Sequence, residues 1–151
     1  KTIDLNISEK GYVPLFETID IARAAGKPLI LELSPIEKES RFDIHAIHFD
    51  FESARIKPES IPYLDALAEY LKKSPSLRFQ IIGHTDLHGT GEFNNRLSLE
   101  RARSVKEYLV TKGIDASRLT IRGAGMSEPK VPRKGPGYDE QNRRTEFRLI
   151  E

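Results

Sequence analysis

The chain has 151 residues, 38% of them hydrophobic and 31% charged, which suits one good-sized domain or a domain with a small appendage and excludes a disordered tail. Twenty-four Lys and Arg against 23 Asp and Glu leave a net charge of +1, so the charge balance gives no footprint for nucleic acid and no basic surface for an anionic membrane. With no cysteine, disulfides, thiolate nucleophiles and Cys-ligated metal sites are excluded, while cytoplasm and periplasm both stay open.

In chain order, residues 1–41 read as a β-rich N-terminal segment. Ile3, Leu5 and Ile7 alternate with polar residues, a period-2 strand signal, and Gly11 suggests a turn. Leu29, Leu31 and Leu33 alternate again between the breakers Gly26-Lys27-Pro28 and Ser34-Pro35, giving two or three strands in all, one of which could pair onto a neighbouring sheet. No apolar run approaches the roughly 20 residues of a membrane helix, and no leader pattern is present, so the expectation is a mature or excised piece of something longer.

Residues 42–151 have a clearer rhythm. His45 to Phe51 predicts a strand that is apolar on both faces and therefore central. Pro58 sits where a helix can start, Ile61, Leu64, Leu67, Ala68 and Leu71 follow at helical spacing, and Ser74-Pro75 ends the run. Leu77 to Gly83 predicts a second strand, Glu92 to Lys112 a long helix with Gly113 as its C-terminal cap residue, and Arg118 to Gly123 a third strand. A Pro-, Gly- and charge-rich loop over 125–141 precedes a last strand, Thr145 to Ile150. Within it Lys130, Arg133 and Lys134 read as a solvated basic cluster with a possible sugar contact. The order is β-α-β-α-β-β. It predicts an α+β fold, a mixed sheet with two helices packed on one face, with the last two strands able to pair antiparallel across the long loop.

The segment richest in chemistry is Gly83-His84-Thr85-Asp86-Leu87-His88-Gly89, which leaves a buried strand and feeds the long helix. On that helix Asn94, Leu97, Ser98 and Arg101 fall at i, i+3, i+4 and i+7 and share a face, continued by Ala102, Val105 and Leu109. The stripe is core at its far end and polar beside the loop. If the loop folds back, Asp86 meets Arg101 across a cleft. A carboxylate takes an ammonium and a guanidinium takes a carboxylate in a planar, two-pronged way, so the pair suits a zwitterion such as the free end of an α-amino acid.

Gly83-His84-Thr85-Asp86, Gly89, Asn94, Leu97-Ser98, Arg101-Ala102, Val105 and Asn142-Arg143-Arg144, together with Phe49-Asp50-Phe51 and Pro58, give residues 44–151 the pattern of the OmpA-like C-terminal domain family, which the chain resembles throughout that span. The resemblance implies a periplasmic domain that binds peptidoglycan without cleaving it, through the free end of meso-diaminopimelate in the stem peptide, with no cofactor and as part of a larger envelope protein of a Gram-negative cell. It implies Asp86 for the ammonium and Arg101 for the carboxylate, Thr85, Asn94 and Leu97 lining the pocket, and Asp50, Phe51 and Glu52 as its opposite wall. Glu52 departs from the family, where an uncharged polar residue is common. Residues 1–41 resemble the last strands of the small β-sandwich domains that precede such modules, or else an extension adding strands to the main sheet.

Plainer readings stand beside these. Asp86 and Arg101 could form a structural ion pair, Asn94 could cap the helix, and Leu97 and Ser98 could serve packing alone. Arg143 and Arg144 could pair with Asp86 or Asp50 and orient them, with Arg144 the stronger candidate for that supporting role. His84 and His88 lie in a loop with no third ligand in view, so no metal is expected. His45 and His48 should point to opposite faces of their strand, one of them a satisfied interior histidine. Ser98 lacks a His-Asp relay and a nucleophile elbow, so hydrolysis is not expected.

Overall fold

The computed structural model describes residues 1–131 and 138–150; Arg133 and Lys134 of the basic loop cluster lie outside the described residues. Thr2–Ile7 (β1) and Leu15–Asp20 (β2) form a separate antiparallel hairpin, with Thr2 opposite Asp20 and Ile7 opposite Leu15. Gly11 makes its turn at φ +87°, a backbone conformation that costs a glycine nothing. The Asp20 carboxylate accepts from the Ala22 N–H at 3.0 Å and starts a single helical turn, Ile21–Ala24 (α1). The second hairpin strand is therefore Leu15–Asp20 and not Leu29–Leu33. Among the described residues the latter stretch takes no strand partner, and Leu29 and Ile30 are exposed. Alternation makes a strand possible, but a ladder needs a paired backbone, and pairing here is confined to one bridge, Tyr12 with Pro35.

The main sheet has the order β3-β6-β4-β5, built from Arg41–Ile44 (β3), Phe79–His84 (β4), Leu119–Gly125 (β5) and Arg144–Leu149 (β6). β4 and β5 are parallel, and β6 runs antiparallel to both β3 and β4. The expected pairing of the last two strands is corrected, because β6 inserts between β3 and β4. Burial explains why: Thr145, Phe147 and Leu149 are buried on one face of β6 and Glu146 on the other, so β6 suits the interior of a sheet. The expected strand over His45–Phe51 is also displaced. Pairing is made by Arg41–Ile44 at the sheet edge, and the chain then turns, held where the Ser60 hydroxyl accepts from the His48 N–H at 2.7 Å and donates to the Ala46 carbonyl at 3.1 Å.

Ile61–Lys73 (α2) and Gly91–Thr111 (α3) supply the two long crossovers. α2 buries Leu64, Leu67, Ala68 and Leu71, the i, i+3, i+4, i+7 stripe. Its C-terminal end is closed by Arg118, whose guanidinium donates to the carbonyls of Leu71, Ser74 and Leu77 at 2.8–3.0 Å. α3 ends at Gly113, with φ +99° and the Ile114 N–H reaching back to the Leu109 carbonyl at 3.2 Å. Phe42, Phe79 and Phe147 meet at the centre of the sheet, Phe42 stacking on Phe147 at 5.1 Å between ring centroids. The hairpin joins this core where Phe16 lies on Phe42, the Tyr70 hydroxyl donates to the Tyr12 carbonyl at 2.7 Å, and Tyr63 donates to Asp4.

α3 lies unusually close to the sheet because two glycines face it. A Cβ on Gly83 would stand 2.3 Å from the Ser98 carbonyl oxygen, and one on Gly123 would stand 2.6 Å from the Asn95 carbonyl oxygen. These contacts set the height of the helix that carries Arg101 above the strand that delivers Asp86.

Candidate functional site

The C-terminal end of β4, the start of β6, the turn after β3 and the N-terminal half of α3 converge on one cleft of about 200 Å³. It is lined by Ile47, His48 and Phe49 from the turn after β3, by Ser98 and Arg101 from α3, and by Arg143, Arg144 and Thr145 around the start of β6.

Arg101 is held on two sides. Its Nε–H donates to the Ser53 carbonyl at 2.9 Å, and its guanidinium carbon sits 5.0 Å from the centre of the Phe49 ring. Fixing Nε this way leaves the two terminal nitrogens as the edge that can meet a carboxylate. Burial pushes the Arg101 guanidinium below its ordinary pKa, Asp86 opposes that shift and Arg143 adds to it, so all three charges lie within electrostatic reach of one another.

Asp86 lies beside the cleft, in the loop after β4. The Thr85 N–H donates to the Gly125 carbonyl at 2.8 Å and pins the loop's root. The Asp86 carboxylate accepts from the His88 N–H at 3.1 Å through Oδ1 and pairs with Arg143 at 3.0 Å through Oδ2. The loop's far side is tied down by Asn94, whose side-chain amide donates to the His88 carbonyl at 2.6 Å. Thr90 caps α3, accepting from the Phe93 N–H, so the cap reading for Asn94 is corrected: Asn94 holds the loop and not the helix end.

The sequence-derived site residues therefore separate. Arg101, Ser98 and Arg144 line the cleft, and Asp86 reaches it through its pairing with Arg143. Thr85, Asn94 and Leu97 are buried and support the loop and the helix from beneath. Ser98 bridges α3 to β5, its hydroxyl donating to the Asn95 carbonyl and accepting from the Gly125 N–H, both at 2.9 Å. Asp50, Phe51 and Glu52 do not line the cleft. Asp50 lies 3.6 Å from Arg55, Phe51 is 89% exposed, and Glu52 takes φ +50° at the tip of the turn. The aromatic against Arg101 is Phe49. The expected division of labour between the two arginines is also corrected. Arg143 holds Asp86, while Arg144 turns to Asp43 at 3.4 Å and Glu146 at 3.9 Å. The Asp86–Arg101 ion-pair reading gives way to that Asp86–Arg143 pair.

Two features escaped the sequence. Backbone oxygens such as that of Ser53 leave no trace in residue identity. The second is the buried pair below the site, His84 Nε2 and Glu146 Oε1 at 2.9 Å. Burial alone would raise the Glu146 carboxyl, yet hydrogen bonds from His84 and Arg148 outweigh it and hold the pKa at about 2. The alternation of Arg144, Glu146 and Arg148 along β6 was the available signal, since it puts an acid between two bases on one face. His45 is half-buried, and burial lowers its pKa.

The OmpA family model matches residues 48–143. The probable lipoprotein YiaD of Escherichia coli (strain K12) is 39% identical over 103 residues, covering 68% of this chain and 47% of that protein. Among solved structures, the peptidoglycan-associated lipoprotein from Burkholderia pseudomallei superposes with a TM-score of 0.61 at 29% identity, covering 68% of this chain and 87% of the other. The cell wall anchor of the T6SS from Pseudomonas aeruginosa gives 0.59 at 30% identity, covering 67% and 73%. The chain spans about half the length of the curated relatives it matches. The family match leaves out residues 1–47, which hold the hairpin β1–β2 and the edge strand β3, and the last strand β6.

Proposed function

The chain belongs to the OmpA family, by its match over residues 48–143, and from that membership we propose that it is a non-enzymatic module that holds a periplasmic or outer-membrane assembly to peptidoglycan. Its ligand is the free end of meso-diaminopimelate in the stem peptide. The observation that carries this reading is an oriented guanidinium, Arg101, lining the cleft within electrostatic reach of a loop carboxylate, Asp86. The terminal edge of Arg101 takes the ligand carboxylate, and the remaining lone pairs of Asp86 take the ammonium. Relatives named as a peptidoglycan-associated lipoprotein and a cell wall anchor support the coarser part of this reading, attachment to peptidoglycan.

Two charge-assisted contacts supply roughly 3–6 kcal/mol before association costs, so binding of a single stem peptide is weak. Firm attachment follows from many copies acting on one continuous polymer.

The test is co-sedimentation with insoluble peptidoglycan sacculi, using free meso-diaminopimelate as competitor. Wild type should pellet, and the competitor, Asp86→Asn and Arg101→Gln should each release it while the melting temperature stays within a few degrees. Retained binding in both folded variants refutes the zwitterion site.

A further inference from the structure

We propose that Arg143 is the residue that makes this cleft selective for a zwitterion over a plain ammonium, an inference that rests on the diaminopimelate reading above. The charge balance carries it. Arg101 and Arg143 both line the cleft, and Asp86 is shared between them: it pairs with Arg143 at 3.0 Å and acts electrostatically on Arg101. Arg144 also lines the cleft, but its charge is offset separately by Asp43 at 3.4 Å and Glu146 at 3.9 Å. The ligand-facing set is therefore two positive charges against one negative.

A ligand that brings only an ammonium, such as a lysine side chain, raises that excess. It must also compete with the guanidinium already on Asp86. A zwitterion brings its own carboxylate, which the two guanidiniums can share once the ammonium has taken its place on Asp86. Asp86 by itself would attract any cation, and Arg101 by itself would attract any anion. Arg143 ties ammonium binding to the presence of a carboxylate. Its side chain is half-exposed, free at the surface to exchange one carboxylate partner for another. Because that exposure screens the charges, the discrimination it adds is about three- to tenfold.

The experiment is calorimetric titration of two synthetic tripeptides that differ by one carboxylate, L-Ala-γ-D-Glu-meso-diaminopimelate and L-Ala-γ-D-Glu-L-Lys, into the whole chain. Wild type should prefer the first. Arg143→Gln should narrow the ratio of the two dissociation constants about three- to tenfold, chiefly by gaining affinity for the lysine peptide, and Arg143→Lys should keep the ratio near wild type. An unchanged ratio in Arg143→Gln, with the first peptide still bound, overturns the assignment. So does loss of both peptides in that variant with its melting temperature intact, which would make Arg143 a direct ligand group. Equal binding of the two peptides by wild type refutes the selectivity. Binding of neither by wild type refutes the diaminopimelate reading itself.

Discussion

Gly83→Ala adds one methyl group at the point where the sheet and the site helix touch. An ordinary contact for that carbon begins at 3.4 Å, and the Ser98 carbonyl oxygen stands at 2.3 Å, a shortfall of about 1.1 Å, with the Ser98 carbonyl carbon and Cα at 3.0 and 3.2 Å. All three atoms are backbone, so no side chain can rotate aside. α3 must lift by about 1 Å, and a gap of that size forfeits a quarter to a half of each dispersion contact beneath it. The contacts at risk belong to Leu97, Ala102, Val105 and Leu109. Overpacking of this kind costs about 1–3 kcal/mol at a site that can yield, and here the expectation lies at the upper end, about 3 kcal/mol. The same lift moves Arg101 off the Ser53 carbonyl, now at 2.9 Å, so wall binding should fall with stability. Urea unfolding measures the first effect and sacculus co-sedimentation the second. Gly11→Ala is the control, because no atom lies within 4 Å of its Cβ and only the φ of +87° opposes it; it should cost about 1–2 kcal/mol and leave binding untouched. Gly83→Ala as stable as wild type within about 0.5 kcal/mol would mean that the close approach of α3 does not set the geometry of the site.

The Glu146 carboxyl titrates near 2 in the folded chain against an ordinary 4.5, so its contribution to stability is complete above about pH 4.5 and is lost as pH falls through 2. The difference sets a ceiling of about 3 kcal/mol, and urea unfolding of wild type and Glu146→Gln between pH 2 and 7 should show a shallower acid decline in the variant. Equal slopes would place the acid sensitivity elsewhere. Arg118→Met removes the donors that close the end of α2 on three carbonyls and should lower the unfolding free energy by about 2–3 kcal/mol with wall binding retained. Leu67→Ala opens a cavity at a fully buried core position and should cost about 2–5 kcal/mol by the same assay, without a selective loss of binding.

Several parts of this protein are decided by local chemistry, and these the sequence alone determined. The stripe Leu64, Leu67, Ala68 and Leu71, the stop at Ser74-Pro75 and the cap at Gly113 each depend on residues within a turn or two, and each is found where the spacing puts it. The same holds for the strand-loop-helix order that carries Asp86 and Arg101 to neighbouring places, because chain connectivity fixes it. Tertiary structure decided what depends on partners distant in sequence. Alternation in Leu29–Leu33 did not make a strand: among the described residues the pairing there is confined to the single bridge between Tyr12 and Pro35, beyond its end. The place of β6 between β3 and β4 followed from burial of both its faces, which is a property of the assembled sheet. Asp86 chose Arg143 over Arg101 because the start of β6 lies beside the loop after β4, while Arg101 is drawn to the Ser53 carbonyl and the Phe49 ring. Residue types named the charges at the site; only the packing of α3 on Gly83 and of β6 beside β4 settled which charge faces which.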